Sequence, residues 1–549
     1  MGAFSAALFD DTVGFCRHRP LFGWTMAIVI GTGLGFFFGG AWLWLFLATG
    51  MLMAAWRTNA NTMVQLLWVV CFALAGWRAA LLHDRNATVL ERLREYQASG
   101  ELFELKATVS NDRHIVQRKR GGPYCRFSVD DAWFSDGTEI HGANLTVYYY
   151  DKSGNFPEIG QTWLLRAKLR ANSSAYRMYL SARGEHACHL PNEDRRINIQ
   201  YVLARVRDRL AQHLALGVSD ADALLTQTMV LGTRARLPYE LRQRYADAGI
   251  IHIFAISGLH VGIIAGLLIW LFSWLGIRLR ARIFLMLPLL GGYLLLTGVP
   301  PSASRACMMA CVFCFAPTVM RRSDGASALF VTAATVLLVE PGWIANAGAL
   351  LSFCVMGGIC LYVKPLTYFI NHLFHSPVTR SLYGNLQEER PWHVTLRQRF
   401  AALVGLSLAA WIAVLPLCLF FFGRFSPVGI LLNLLVPTLT VGIVWCACMS
   451  ALIGFVLPFC SVLLNRFNAT LLSFIDTLSV QALKLPCAVY ELDYPPGVTF
   501  SLAMGVGILI LGWWLGVQER RCRQKDPFDP EVFQFVAEST SSVQSTRRL

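Results

Sequence analysis

The chain's 549 residues are 55% hydrophobic and only 15% charged, with a mean hydropathy of +0.47. Soluble globular domains carry roughly 25% charged residues, so the composition excludes that class and describes a polytopic α-helical membrane protein. The formal charge of +14 would point a soluble protein toward nucleic acid or anionic lipid. Lys and Arg also gather in cytoplasmic loops, however, so net charge alone decides nothing about DNA.

Three apolar spans come first, near 21–38, 41–56 and 63–82. Arg17 and Arg19 precede the first, and Arg57 separates the second from the third. The positive-inside rule then puts the N-terminus in the cytoplasm and residue 83 onward outside. No small-residue cleavage site follows the first run, so 1–82 reads as a retained hairpin plus a third span.

Residues 83–195 lose the long apolar runs. Short alternating segments take over at Phe103–Val109, Tyr124–Val129, Ala143–Tyr149, Trp163–Leu169 and Arg177–Ala182, separated by Gly, Pro and Asp breakers. That is the pattern of strands and hairpins, and five strands in so short a stretch predict an inserted small β-barrel, OB-like and extracytoplasmic. Such folds bind single strands with a basic groove and stacking aromatics. The candidates here are Arg118, Lys119, Arg120, Arg126, Arg166, Lys168 and Arg170, with Tyr124 and Tyr148 among the aromatics. The alternative is a barrel whose aromatics merely fill its core, and acidic residues nearly balance the basic ones. Cys125 and Cys188 are the domain's two cysteines. In an oxidising compartment they are the expected disulfide pair.

Residues 196–247 read as amphipathic interfacial helices, with Val202, Val206, Leu210 and Leu214 spaced against Arg205, Arg207 and Arg209. This suits lipid headgroups or the rim of a pore. Ser219 with Asp222 predicts a capped helix start. From 248 to 518 the chain is again a membrane domain. Its first apolar run carries His252, Ser257 and His260, polar groups that face either a wet cavity or a neighbouring helix. Pro300 and Pro301 break the chain before Arg305, which either meets a phosphate or snorkels to the surface. The stretch 428–458, with Pro437 in its middle, is expected as two short or re-entrant pieces. Residues 519–549 read as a cytoplasmic, disordered tail. No clustered ligand spacing is present beyond the isolated His186 to His189 pair, so neither metal nor cofactor is expected.

The segment His252-Ile-Phe-Ala-Ile-Ser-Gly-Leu-His260, preceded by Leu231-Gly-Thr-Arg-Ala-Arg-Leu-Pro238, resembles the signature of the ComEC competence family. Further pieces follow in order: Leu296 to Ala306, Glu340 to Phe353, and Asn433-Leu-Leu-Val-Pro437. The resemblance implies an inner-membrane channel carrying single-stranded DNA into the cytoplasm during natural transformation, with an OB-type domain where the alternating segments lie. It makes His252, Ser257, His260, Arg305 and Asn433 expected lining or gate positions. It also implies membrane lipids, a periplasmic DNA receptor, a separate nuclease and a cytoplasmic translocase or helicase as partners. Long family members continue into a metallo-β-lactamase-like domain, whose HxHxDH cluster is absent from this sequence, so a short form is expected.

Two other readings compete. Ser257 and His260 lie within one helical turn, as an intramembrane hydrolase would need, but no GxSxG elbow is present. A transporter of another anionic solute or lipid is the second. No catalytic residue is expected.

Overall fold

The computed structural model describes residues 20–38, 62–98 and most of 103–524; several sheet loops and the segments 191–198, 316–324 and 374–391 are outside the described residues. The chain divides into two compact units. One comprises Met1–Gln243, Ile251–Ala349 and Leu439–Asp476; the other comprises Arg244–Ile250, Leu350–Thr438 and Thr477–Leu549.

The first unit opens with α1 (Pro20–Phe38) and α2 (Thr62–Ala98). Glycine sets their separation. A Cβ on Gly31 would stand 2.3 Å from the Phe72 carbonyl oxygen, and one on Gly35 only 2.0 Å from that of Gly76. Spaced four apart, the two glycines form the small-residue stripe that lets apolar helices touch backbone to backbone. The expected span 41–56 lies outside the described residues. Helix α2 does not stop at 82: it runs 37 residues, through the charged stretch that begins at His83. Loss of hydrophobicity changes what a helix faces, not whether it forms. Leu90 and Leu93, from this continuation, join the core of the β domain.

That domain contains β1 (Phe103–Val109), β2 (His114–Val116), β3 (Tyr124–Phe134), β4 (Glu139–Ile140), β5 (Leu145–Tyr150), β6 (Thr162–Leu169) and β7 (Met178–Leu190). The hydrogen-bonded order is β1-β6-β7-β5-β3-β2, and a further β1–β3 pairing returns the path to its start. Five strands thus form a ring, with β5 and β7 parallel and the other ring pairs antiparallel. Register shifts at Ala107/Val109 and Leu165/Ala167 supply the local bends that closing a sheet requires. Strand parity sorts the aromatics. Phe127, Tyr149 and Trp163 point into the core, while Tyr124, Tyr148 and Tyr150 alternate onto the outer face. Burial, together with the Asp151 carboxylate and Cys125, pushes the Tyr149 hydroxyl up to about 12.

The expected Cys125–Cys188 bridge does not form. Cys125 is buried and Cys188 exposed, and neither is part of a disulfide. Cys125 registers with Tyr149, and Tyr149 with Ala182. Ala182 pairs with Ala167 of β6 and Cys188 with Leu164, three positions on, so Cys188 lies about 10 Å along the ladder at ~3.3 Å per residue and two strands across from Cys125, whereas a bridge needs Cα atoms within about 7 Å.

Helices α3 (Ile199–Leu214) and α4 (Asp220–Leu231) follow. Ser219 caps α4 as expected, its Oγ accepting the Asp222 amide at 3.2 Å. The end of α3 and the turn after it are met by a side chain from further along the chain: Asn465 Nδ2 donates to His213 O at 2.9 Å and to Leu216 O, in the turn, at 3.0 Å. Asn465 is itself held by Ser450, whose Oγ donates to Oδ1 at 2.6 Å. Next come α5 (Tyr239–Asp247), α6 (Gly258–Trp274), α7 (Leu279–Leu296), α8 (Pro301–Phe315) and α9 (Gly325–Val339).

The second unit is built on α10 (Ala347–Leu373), α11 (Trp392–Phe422), the first part of α12 (Val428–Ile453) and α14 (Val498–Gln524), while α13 (Pro458–Ala482) divides between the units. Three described segments, Ala347–Asn371, Leu396–Phe422 and Val428–Ile453, are long and apolar enough to cross a membrane. Gly358 meets Ala413 where α10 crosses α11, and the Tyr362 hydroxyl donates to Ile508 O on α14. The two pieces expected across 428–458 are one 26-residue helix containing Pro437. An interior proline removes one hydrogen bond, and in a membrane helix neighbouring packing tolerates this without a break. Strands β8 (Arg424–Phe425) and β9 (Tyr490–Glu491) pair, and Arg424 bridges Asp247 at 3.0 Å.

Candidate functional site

The signature run near 250 is not one continuous helix. Ile251–Phe254 form a 3-10 turn, an extended link follows, and α6 begins only at Gly258 with Ser257 as its N-cap. The cap uses a histidine where a glutamate is usual. The Ser257 amide donates to His260 Nδ1 at 3.3 Å, and Ser257 Oγ lies 2.9 Å from the same nitrogen. Because the backbone amide can only donate, Nδ1 is the unprotonated nitrogen, and the neutral ring carries its proton on Nε2. His260 is fully buried, and its Nε2 has no hydrogen-bond partner among the described residues.

A second helix start meets this one. The Ser302 hydroxyl, in the first turn of α8, donates to the Ile256 carbonyl. One turn further, Arg305 lays its guanidinium against α6: Nη2 would be 3.1 Å from a Cβ on Gly258. Gly258 is therefore what admits the arginine. Arg305 is nearly buried, at 8% exposure, and its Nη1 reaches Met309 Sδ at 3.3 Å. Gly232, left-handed at φ +78, ends α4 against Ile256 and the Thr297 carbonyl. Tyr293 Oη donates to Val230 O at 2.9 Å. Val299 holds φ +53 between the two helices, a conformation that costs a β-branched residue strain.

His252, Ser257, His260 and Arg305 thus come from one unit and one neighbourhood, with His252 exposed and Ser257 and Gly258 half-buried. Asn433 belongs to the other unit. Its Oδ1 is buried without a partner among the described residues, and Pro437 has no N–H to give its backbone carbonyl. The 2.9 Å Ser257–His260 contact has the length of a nucleophile–base pair. It is equally the contact of a helix cap, and no described group accepts from Nε2 to orient the ring.

The β domain presents a second site on its outer face. Tyr124 stacks on Tyr148 with centroids 5.9 Å apart and lies 5.5 Å from Tyr150, while Tyr148 meets Tyr179 at 6.1 Å. Arg170 Cζ stands 4.3 Å above the Tyr148 ring. Exposed Arg126 registers opposite Tyr148, exposed Arg183 opposite Tyr150, and exposed Lys168 opposite Ser181. Arg166 is engaged otherwise, paired with Glu104 at 2.6 Å on the β1–β6 side. Arg118, Lys119 and Arg120 lie outside the described residues. Tyr150, Tyr179 and Arg183 extend the face beyond the residues singled out from sequence; their parity with Tyr148 across the β5–β7 ladder was the available signal.

Comparison with known proteins agrees with the signature. The competence protein family model matches residues 229–518, which takes in both the helix junction and Asn433. ComE operon protein 3 of Bacillus subtilis (strain 168) is 27% identical over 305 residues, covering 55% of this chain and 35% of that protein. The matched region is thus about a third of the relative's length. No solved structure matches.

Proposed function

We propose, because the chain belongs to the competence protein family, that it is an inner-membrane channel conducting single-stranded DNA into the cytoplasm during natural transformation. The family supports a role in DNA uptake; the channel, the strandedness and the direction are our reading. The observation that carries it is the outer face of the β domain, where four tyrosines and Arg170 make a stacking strip flanked by Arg126, Arg183 and Lys168. Single strands expose base faces to such a strip, whereas duplex DNA keeps them stacked inside. The closed five-strand ring with one parallel pair supports an OB-type barrel.

In this reading the β domain lies outside the cytoplasm and both termini lie inside. The strand then passes His252, Ser257, His260, Arg305 and Asn433 as lining or gate positions. A periplasmic DNA receptor, a separate nuclease and a cytoplasmic translocase or helicase would complete the pathway, and this chain would act as conduit rather than enzyme. The test is delivery of labelled DNA to the cytoplasm of a deletion strain, with and without the chain restored. Undiminished delivery in the deletion strain would refute the channel and leave the transporter of another anionic solute.

A further inference from the structure

Helix α2 leads into the β domain and is gripped on both sides of that entry. It runs unbroken from Thr62 to Ala98, about 55 Å at ~1.5 Å per residue. Its first part is fixed against two other helices. Gly31 and Gly35 of α1 press on the backbone of Phe72 and Gly76. Arg78 Nη2 donates to Val339 O at the end of α9 at 2.8 Å, and His83 Nδ1 donates to Phe36 O at the end of α1 at 2.8 Å. Its last part is fixed in the β domain, whose core takes in Leu90 and Leu93 with Val89 packed against them.

The interval between the grips offers no swivel. It is the stretch Asp84–Thr88, all of it helical, and no glycine or proline follows Gly76 in α2. Sharp bends in helices come from proline, glycine or a broken hydrogen-bond ladder. The two grips also share a face. Gly76, His83 and Leu90 stand seven apart; the first two touch α1 and the third enters the β-domain core. Residues seven apart differ in direction by only about 20° on an α-helix. The β domain therefore packs on the side of α2 that already faces α1.

We infer that α2 is a rigid strut that fixes the rotational setting of the β domain relative to α1 and α9, so that the tyrosine strip faces one direction and passes a strand on along one line. The rigidity follows from the geometry, while the passing of a strand rests on the channel reading above. The strip then serves in one helical phase of α2 and fails when that phase is turned.

Two measurements on the full chain test the strut. Nitroxide-bearing amino acids, placed by codon suppression at exposed Ile30 of α1 and exposed Glu185 of β7, report a distance by pulsed electron resonance. The wild type should give one narrow distribution, and five glycines in place of Asp84–Thr88 should broaden it. The second measurement is delivery of labelled DNA by chains with alanines inserted between Arg85 and Asn86. Two alanines turn the β domain by about 200°, whereas four turn it by about 400°, within about 40° of the starting phase. The two-residue insertion should lower delivery at least about tenfold, because geometry then keeps two stations from engaging one strand. The four-residue insertion should recover part of it, and both should bind a thymidine oligonucleotide as the wild type does. A broad wild-type distribution, or equal delivery by the two insertions where delivery depends on the chain, would overturn the strut. If the deletion strain imports DNA normally while the distribution is narrow, the channel reading falls and the rigid setting stands. If delivery needs the chain but the distribution is broad, the reverse holds.

Discussion

The Arg170 guanidinium lies over the ring of Tyr148, 4.3 Å from its centre, so one cation both holds the tyrosine in place and raises the positive potential of the strip. Base stacking on an aromatic side chain is worth roughly 1–3 kcal/mol per base. Tyr148→Ala should therefore weaken binding of a fluorescent thymidine oligonucleotide to the full chain by about 5- to 150-fold, read as anisotropy. Phe127→Leu, a change on the inward face, should leave the affinity of folded protein within about twofold, since it removes no outer-face contact.

Exposed Arg126 and Lys168 differ from Tyr148 in what they would contribute. A cation facing a phosphate releases counterions on binding, giving a slope near −0.7 per contact for single strands. Arg126→Gln and Lys168→Gln should each make the dependence of log affinity on log salt shallower by roughly that amount. An unchanged slope would remove these residues from the DNA path.

The α1–α2 contact is limited by backbone rather than side chains. Gly35→Ala places a methyl 2.0 Å from the Gly76 carbonyl, and overpacking of this kind costs about 1–3 kcal/mol. The thermal midpoint of the purified chain should fall. Gly292→Ala in α7, where nothing lies within 4 Å, should leave it unchanged.

Asn465 holds two carbonyls at the end of α3 with one amide nitrogen. Asn465→Asp keeps the shape but replaces the donor with a carboxylate oxygen, setting acceptor against acceptor. Hydrogen exchange in the last turn of α3 should accelerate more in this variant than in Asn465→Ala. The opposite order would show that packing, not the hydrogen bonds, secures the helix end.

Tyr149 supplies a pH dependence. Its hydroxyl is raised from 10.0 to about 12 by burial, Asp151 and Cys125, so the folded domain holds its proton more tightly than the unfolded chain. The stabilisation is complete below pH 10 and is lost as pH rises from about 10 toward 12. Alkaline unfolding, followed by tyrosinate absorbance, should be less steep in Tyr149→Phe over that interval.

Much of the β domain was legible in the sequence because strands with one buried face alternate residue by residue. The alternation located β1 to the residue and β5 and β6 within two. The same rule, carried across strands, separates Tyr148 from Tyr149. It did not bear on Cys125 and Cys188, because two cysteines in one domain say nothing about register, and the ladder sets Cys188 two strands from Cys125 and offset along the sheet. The polar residues near 252–260 were legible as misfits in an apolar run. Their use was not: neither the late start of α6 at Gly258 nor the arrival of Arg305 beside it is a local property.

What the amino-acid order determined alone was local. It specified which segments are apolar enough for lipid, which alternate, where Ser219 starts a helix, and that His252, Ser257 and His260 need company. Tertiary structure decided which helix ends meet, which strand closes the ring onto β1, and whether a histidine nitrogen finds an acceptor. The reason is range: periodicity and capping act over a few residues of chain, whereas burial and partnership arise between groups that only the folded backbone brings into contact.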